Sequence, residues 1–81
     1  NILTNIIGNN WQHYKGNHYQ IIGEGRHSDT LEEFVIYQGL YHSEEFGSKA
    51  IWIRPKKKFY ENVIANGKEV PRFTKIKWFL R

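Results

Sequence analysis

The chain has 81 residues, which suits one domain with one hydrophobic core. It contains no cysteine, so neither disulfides nor a cysteine-ligated zinc holds the fold together, and this fits a reducing, cytoplasmic compartment. Twelve Lys and Arg against eight Asp and Glu give a net charge of +4, an excess that permits an anionic partner without requiring nucleic acid. No apolar run approaches the roughly 18 residues of a membrane span, so we expect no membrane partner.

The chain divides into a short lead-in and one folded unit. Residues 1–10 mix Ile and Leu with Asn and are predicted as a lead-in segment, and residues 11–81 are predicted as a single small β domain. The domain begins with an extended run. Gly16 and Asn17 tolerate positive φ and predict a hairpin turn, after which residues 18–22, rich in Tyr and Ile, form the return strand.

The middle of the chain alternates polar loops with strands. Residues 23–30 are polar and punctuated by glycine, which predicts a loop. Residues 31–41 carry the strongest strand signal, because they contain a continuous Phe-Val-Ile-Tyr run. A second polar loop over residues 42–48 and a short strand over residues 50–54 follow.

A proline marks the next change of structure. Pro55 cannot donate a hydrogen bond to a sheet and therefore ends the preceding strand. Residues 56–64 are predicted to form one or two helical turns, with Phe59 and Val63 on one face.

The last part of the chain predicts a closing hairpin. Asn66 and Gly67 form a type I′ turn signal, with strands over residues 68–70 and 72–80 on either side of Pro71. The total is five or six short strands and at most one short helix, too little helix for a βαβ crossover. We therefore predict a mainly β fold, a small SH3-like barrel.

Several short motifs occur in a characteristic order. They are Tyr14-Lys15-Gly16-Asn17, His27-Ser28-Asp29-Thr30-Leu31-Glu32, Val35-Ile36-Tyr37-Gln38, Leu40-Tyr41, Ile51-Trp52-Ile53-Arg54-Pro55, Phe59 and Val70-Pro71-Arg72-Phe73. This order resembles a bacterial family known only as domain of unknown function 1653, from about residue 11 to residue 76. The resemblance implies a small, mostly β, stand-alone domain and brings no established activity. The family often has Glu at the position of Asp29, and its Gly after the Leu-Tyr pair is replaced here by a longer loop that begins at His42.

The densest polar chemistry lies in residues 26–32. Arg26 and His27 can donate hydrogen bonds to an anion, and neighbouring hydroxyls add further donors. The alternative is that these polar side chains only satisfy the backbone of a tight loop. The predicted ligand-binding residues of the whole chain are Lys15, Asn17, Arg26, His27, Ser28, Asp29, Thr30, Glu32, Tyr37 and Arg54.

The main basic cluster is residues 54–58. If a helical turn begins at Pro55, its lysines lie at the positive end of the helix dipole, and a bound anion would relieve that conflict. The alternative is a solvated lysine run. Arg54 is the more specific candidate, because it ends a strand of core character and offers a rigid fork of donors.

The aromatic and imidazole side chains raise the questions of a base-stacking surface and of a metal site. Tyr14, Tyr19, Tyr37, Tyr41 and Trp52 alternate with polar residues, as in sheets that stack single-stranded bases, although a small core needs most of these rings. The histidines have no compact ligand spacing, so no metal site is predicted. They are His13, His18, His27 and His42.

Three hypotheses follow. The first is a non-enzymatic binding module for an anionic ligand, nucleotide or nucleic acid, held by residues 26–32 and Arg54. The second is a protein-interaction domain that uses a sheet edge or an aromatic groove. The third and least favoured is a small hydrolase, with His27 beside Asp29 or Glu32 as an acid–base set. No cofactor is predicted, and the sequence does not specify an oligomeric state.

Overall fold

A computed structural model describes residues 9–76 of the chain. These residues form nine strands and one short helix, mostly by antiparallel pairing of neighbours in the chain. In chain order the elements are β1 (Asn10–His13), β2 (His18–Arg26), β3 (Glu33–Gly39), β4 (His42–Ser43), β5 (Gly47–Ser48), β6 (Ile51–Pro55), α1 (Lys56–Phe59), β7 (Asn62–Ala65), β8 (Lys68–Pro71) and β9 (Phe73–Lys75).

The central sheet has five strands in the order β6-β3-β2-β1-β9, and the hairpins β4–β5 and β7–β8 stand apart from it. The predicted mainly β fold is confirmed. The sheet is open within residues 9–76, because β6 and β9 each pair with one neighbour only, so the predicted closed SH3-like barrel is not formed there. Two features limit closure at these edges: β6 ends at Pro55, which has no N–H to donate, and β9 has only three residues.

Both predicted turns are present. Gly16 has φ of 116°, and the β1–β2 turn is closed by the His13 N–H, which donates to the Asn17 carbonyl at 2.8 Å. Asn66 and Gly67 both have positive φ, 52° and 77°, as a type I′ turn between β7 and β8 requires.

The predicted loop over residues 23–30 is wrong in its first half, because β2 continues to Arg26. The register shifts between Ile21 and Gly23, which marks a bulge, and pairing with β3 then resumes. Ile36 on β3 lies across this glycine-rich stretch. A Cβ added at Gly23 or Gly25 would be 3.8 or 3.7 Å from Ile36 Cδ1, which is an ordinary van der Waals contact.

The predicted helical segment over residues 56–64 is shorter than expected. Helix α1 covers only Lys56–Phe59, and Val63 lies on strand β7, opposite Val70 of β8. Hairpin pairing with β8 therefore prevails over helix continuation, and Phe59 and Val63 do not share a helical face. Within residues 9–76, no helix is long and apolar enough to cross a membrane.

The predicted lead-in and closing strand fall partly outside the described residues. Only Asn9 and Asn10 of the lead-in are described, and Asn10 begins β1. The closing strand is present as β9, paired with β1, whereas residues 77–80 of the prediction lie outside the described part.

The core lies on one face of the central sheet, under helix α1. Phe59 of α1 is fully buried and stacks on Phe73 of β9, with ring centroids 4.2 Å apart and planes 8° from parallel. Aromatic side chains bury much area each, which suits a core of so few residues. The buried set is Trp11, Ile21, Val35, Tyr37, Phe59 and Phe73.

Candidate functional site

A cavity of about 430 Å³ lies beside the core on the covered face of the sheet, next to the β4–β5 hairpin. Its polar lining groups include those of His13, Asn17, Ser43 and Arg54 beside tyrosine hydroxyls, and among the described lining residues none is a carboxylate. The volume lies within the range of about 300–1,000 Å³ that is common for small-molecule sites. The aromatic lining residues are Tyr19, Tyr37, Tyr41, Phe46, Trp52 and Phe73.

The strand register brings these side chains together. Trp52 of β6 lies opposite Tyr37 of β3, and Arg54 lies opposite Val35 two residues further along. Directly opposed residues of an antiparallel pair point to the same face. Since Val35 and Tyr37 are both in the core, Arg54 and Trp52 point to the core side of the sheet.

Arg54 is the central charged group of this cavity. It is half-buried, its Nε donates a hydrogen bond to Tyr37 Oη at 3.0 Å, and its guanidinium carbon lies 5.7 Å from the centroid of the Phe73 ring. Within residues 9–76, no carboxylate forms an ion pair with Arg54, and its two terminal nitrogens have no hydrogen-bond partner. The guanidinium is thus oriented through Nε while its terminal donors stay available.

His13 contributes a second donor to the cavity. Its Nδ1 accepts the Lys15 backbone N–H at 3.2 Å, so the neutral ring carries its proton on Nε2. Burial lowers the pKa of His13 below 6.5, and the positive charges of Arg54, Arg72 and Lys15 lower it further. At neutral pH His13 is therefore an uncharged N–H donor in an electropositive environment.

Two tyrosines form a neutral hydroxyl pair on the cavity wall. The Oη atoms of Tyr19 and Tyr41 are 3.0 Å apart. Burial, followed by the hydrogen bond with Tyr41, raises the pKa of Tyr19 above its ordinary value. The Tyr19 phenol therefore stays protonated and adds no negative charge to the cavity.

The β4–β5 hairpin supplies the outer wall. Ser43 Oγ accepts the backbone N–H groups of Glu45 and Phe46, which fixes the turn. The Phe46 ring stands edge-on to Trp52 with centroids 5.1 Å apart, yet Phe46 remains 55% exposed. These two rings, one exposed and one half-buried, lie nearly perpendicular to each other and provide an apolar aromatic surface at the cavity.

A larger cavity of about 550 Å³ lies between the 26–32 loop and α1, and two of its three cations, Arg26 and Lys56, are paired with carboxylates. Arg26 donates to Leu31 O at 3.0 Å and to Glu33 Oε2 at 3.4 Å. Lys56 lies 3.2 Å from Glu24 Oε2, and that hydrogen bond raises the pKa of Lys56. Lys57 is exposed and forms no ion pair within residues 9–76, but Glu32 and Glu33 also line this cavity and weaken its attraction for anions.

The 26–32 loop uses most of its polar groups on itself. His27 Nδ1 accepts the backbone N–H groups of Asp29 and Thr30 at 3.1 and 3.2 Å, and Thr30 Oγ1 accepts that of Glu32 at 3.2 Å. Leu31 has φ of 66° within this turn. The hydrogen bonds agree with the structural interpretation of the loop, and its ligand-binding role stays a prediction.

The structure separates the predicted site residues into groups. Asn17, Tyr37 and Arg54 lie together in the 430 Å³ cavity, and Arg26, Thr30 and Glu32 line the 550 Å³ cavity. The remaining four belong to neither. Lys15 lies over the Tyr14 ring at 5.8 Å, His27 lines a small apolar cavity with Phe34 and Ile53, and Ser28 and Asp29 are exposed in the loop.

Sequence reasoning missed His13 as a site residue. The sequence contained one signal for it: His13 follows Trp11 by two residues in an extended run, which places both side chains on the core side of β1. His13 also lines a third cavity of about 610 Å³, where Lys68 of the exposed β7–β8 hairpin is the cation among the described lining residues. Within residues 9–76, no group of three or more His, Asp or Glu side chains is placed to hold a metal ion.

Comparisons with known proteins agree on a family. Residues 9–75 match the model of a family described as "Protein of unknown function (DUF1653)". The fold is similar to the crystal structure of a DUF1653 protein from Bordetella bronchiseptica, with a TM-score of 0.75, 27% sequence identity and 91% of each chain covered. No curated protein matches the chain.

Proposed function

This chain belongs to the DUF1653 family, whose function is unknown, and we propose that it is a non-enzymatic module that binds an anionic ligand of the nucleotide class in the cavity around Arg54. One observation carries the proposal: the half-buried positive charge of Arg54 has no carboxylate partner within residues 9–76. Burying an unpaired charge is costly, so a ligand that supplies the opposite charge is the natural compensation.

The electrostatics of the cavity favour an anion. The positive charges that lower the pKa of His13 are Arg54, Arg72 and Lys15. No described lining residue offers a competing carboxylate. A guanidinium held at Nε can present both terminal nitrogens to one anionic group, which is the bidentate geometry that Arg forms with phosphate and carboxylate.

The aromatic lining favours a ligand that also has a flat ring. Phe46 and Trp52 provide ring surfaces beside the charged group, and nucleobases stack on such surfaces for about 1–3 kcal/mol each. Asn17 and Ser43 add polar groups that can bond to a base edge or a sugar. A nucleotide combines the required negative charge with the required ring.

Thermal unfolding and calorimetric titration with adenosine monophosphate test the proposal, at low and high salt. Ligand at 100 times Kd stabilises the folded state by about 2.7 kcal/mol, a readily measured shift for a domain of this size. We expect Arg54→Ala to abolish the shift. Lys75→Ala is the matched control, because it removes one positive charge from an exposed position on β9.

The Arg26→Ala variant distinguishes the two cavities. A loss of binding in Arg26→Ala, with binding retained in Arg54→Ala, would move the site to the 26–32 loop. Binding of long polynucleotides alone, lost at high salt and equally weakened in Lys75→Ala, would indicate unspecific backbone attraction instead. No stabilisation by any nucleotide or simple anion would refute the proposal.

A second candidate function is protein interaction, favoured by the uncovered face of the sheet. Ile51 and Ile53 on edge strand β6 are 52% and 66% exposed. Glu replacements at these two positions should abolish association with a protein partner and leave nucleotide binding unchanged. The hydrolase hypothesis gains no support, because within residues 9–76 no carboxylate contacts the His27 ring, whose Nδ1 instead accepts backbone N–H groups.

A further inference from the structure

The geometry points to a more specific ligand: we infer that the cavity around Arg54 recognises a terminal phosphate monoester, at the end of a nucleotide or of a 5′-phosphorylated strand, rather than an internal phosphodiester. This inference rests on the proposed function and narrows the chemistry of the same site. A terminal phosphate has three unsubstituted oxygens, whereas an internal phosphodiester has two and carries a nucleoside on each side.

The position of Arg54 restricts which phosphates can reach it. Its guanidinium is bonded to the hydroxyl of Tyr37, which is buried, and lies over the ring of Phe73, which is also buried and stacks on Phe59. The charged group therefore lies against the core. A phosphate at a chain end can enter with the phosphate first and one substituent trailing, but an internal phosphate must bring two.

The number of donors also fits a terminal phosphate. The two terminal nitrogens of Arg54 and the Nε2–H of His13 have no hydrogen-bond partner within residues 9–76. The Nδ1 bond to the Lys15 N–H keeps the His13 proton on Nε2. Both residues line the cavity, so three donor nitrogens are available to three oxygens.

The ring-bearing part of the ligand then lies toward the hairpin. Phe46 and Trp52 form the aromatic wall there, and Phe46 is exposed to solvent. A nucleoside attached to the bound phosphate would stack at this wall, and any further nucleotides would continue into solvent. The cavity thus accommodates a single nucleotide and does not require a longer chain.

Four probes test the inference in calorimetric titrations with the unmodified chain: adenosine, adenosine monophosphate, the dinucleoside monophosphate ApA and its 5′-phosphorylated form pApA. ApA contains an internal phosphodiester and no terminal phosphate, so it is the matched control for pApA. We expect adenosine monophosphate and pApA to bind at least about tenfold more tightly than ApA, the effect of one charge-assisted hydrogen bond. Whichever of these two ligands binds more tightly identifies a free nucleotide or a strand end as the source, and ApA binding as tightly as both would contradict the inference.

The His13 variants test the donor count. His13→Phe keeps a ring against Phe73 and removes the donor, whereas His13→Gln keeps a neutral N–H donor. We expect His13→Phe to reduce the preference for pApA over ApA by about tenfold and His13→Gln to retain most of it. Urea unfolding of each variant establishes that the fold is intact before its binding is interpreted.

The outcomes separate this inference from the proposed function. Equal binding of ApA and pApA that depends on Arg54 would overturn the terminal-phosphate inference and leave the nucleotide-binding proposal in place. Absence of Arg54-dependent binding by all four probes would overturn both. If His13→Phe prefers pApA over ApA as strongly as the unmodified chain does, the role of the imidazole donor is refuted.

Discussion

The hydrogen bond between Arg54 and Tyr37 can be measured without knowing the ligand. A double-mutant cycle uses Tyr37→Phe, which removes only the hydroxyl, and Arg54→Met, which keeps an unbranched stem of similar length. The two groups meet at 3.0 Å between Arg54 Nε and Tyr37 Oη, in a half-buried position. Hydrogen bonds to charged groups contribute about 1.5–3 kcal/mol when one partner is removed, and partial exposure of the guanidinium reduces this. We expect a coupling free energy of about 1–2 kcal/mol.

Urea unfolding at pH 7.5 provides the four free energies of unfolding for the cycle, with unchanged m-values as the control for two-state behaviour. Each single variant should lose the coupling free energy. The loss of stability in the double variant should therefore be smaller than the sum of the two single losses by that amount. A coupling free energy below about 0.3 kcal/mol, the usual limit of additivity, would show that Tyr37 does not hold Arg54 in solution. In that case the guanidinium would not be preorganised, and the bidentate geometry proposed for the bound anion would lose its support.

Four further variants test the fold and the site environment. Phe59→Ala should lower the free energy of unfolding by about 3–5 kcal/mol, measured in urea, because the ring is fully buried and stacks on Phe73. Gly67→Ala should cost about 1 kcal/mol because Gly67 has φ of 77°, while Gly25→Ala, at a position where the added Cβ meets only an ordinary contact, should cost less and serves as its control. The pKa of His13 is lowered below 6.5 in the folded protein, so the unfolded chain takes up the proton first as the pH falls. Its contribution to stability is therefore complete above pH 6.5 and is lost as the pH falls toward the folded pKa, and His13→Gln should flatten this part of the pH–stability curve.

Local chemistry explains which parts of the fold were predictable. The turns at Gly16 and at Asn66-Gly67 follow from residues that adopt positive φ at little cost, so short sequence windows suffice to find them. Strand β3 follows from its continuous β-branched and aromatic run. These features depend on neighbours in the chain and not on distant contacts.

The errors arose where distant residues decide the structure. Gly23 and Gly25 read as loop residues, yet they extend β2 because they pair with Ile36 and Phe34 of β3. Val63 read as helical, yet pairing with Val70 places it in a hairpin. Neither outcome is visible in a local window.

The candidate site was only partly predicted, because the availability of its side chains also depends on contacts between distant parts of the chain. Arg54, Tyr37 and Asn17 were singled out and lie in one cavity. The 26–32 loop was grouped with them because its polar residues are dense in sequence, but its hydrogen bonds turn inward. A segment dense in polar residues contains many possible hydrogen-bond donors and acceptors. Whether a donor is available to a ligand depends on which groups it contacts in the folded protein.

The pairing of β1 with β9 has a consequence for how the domain is made. The first and last strands of the sheet are neighbours, and Phe73 on β9 provides the ring on which Phe59 stacks. Contacts between segments so far apart in the chain close a long loop, which slows folding. On the ribosome, the core therefore cannot be completed until β9 has emerged, and a nascent chain that has exposed only β1–β8 presents aromatic surface that a chaperone can bind.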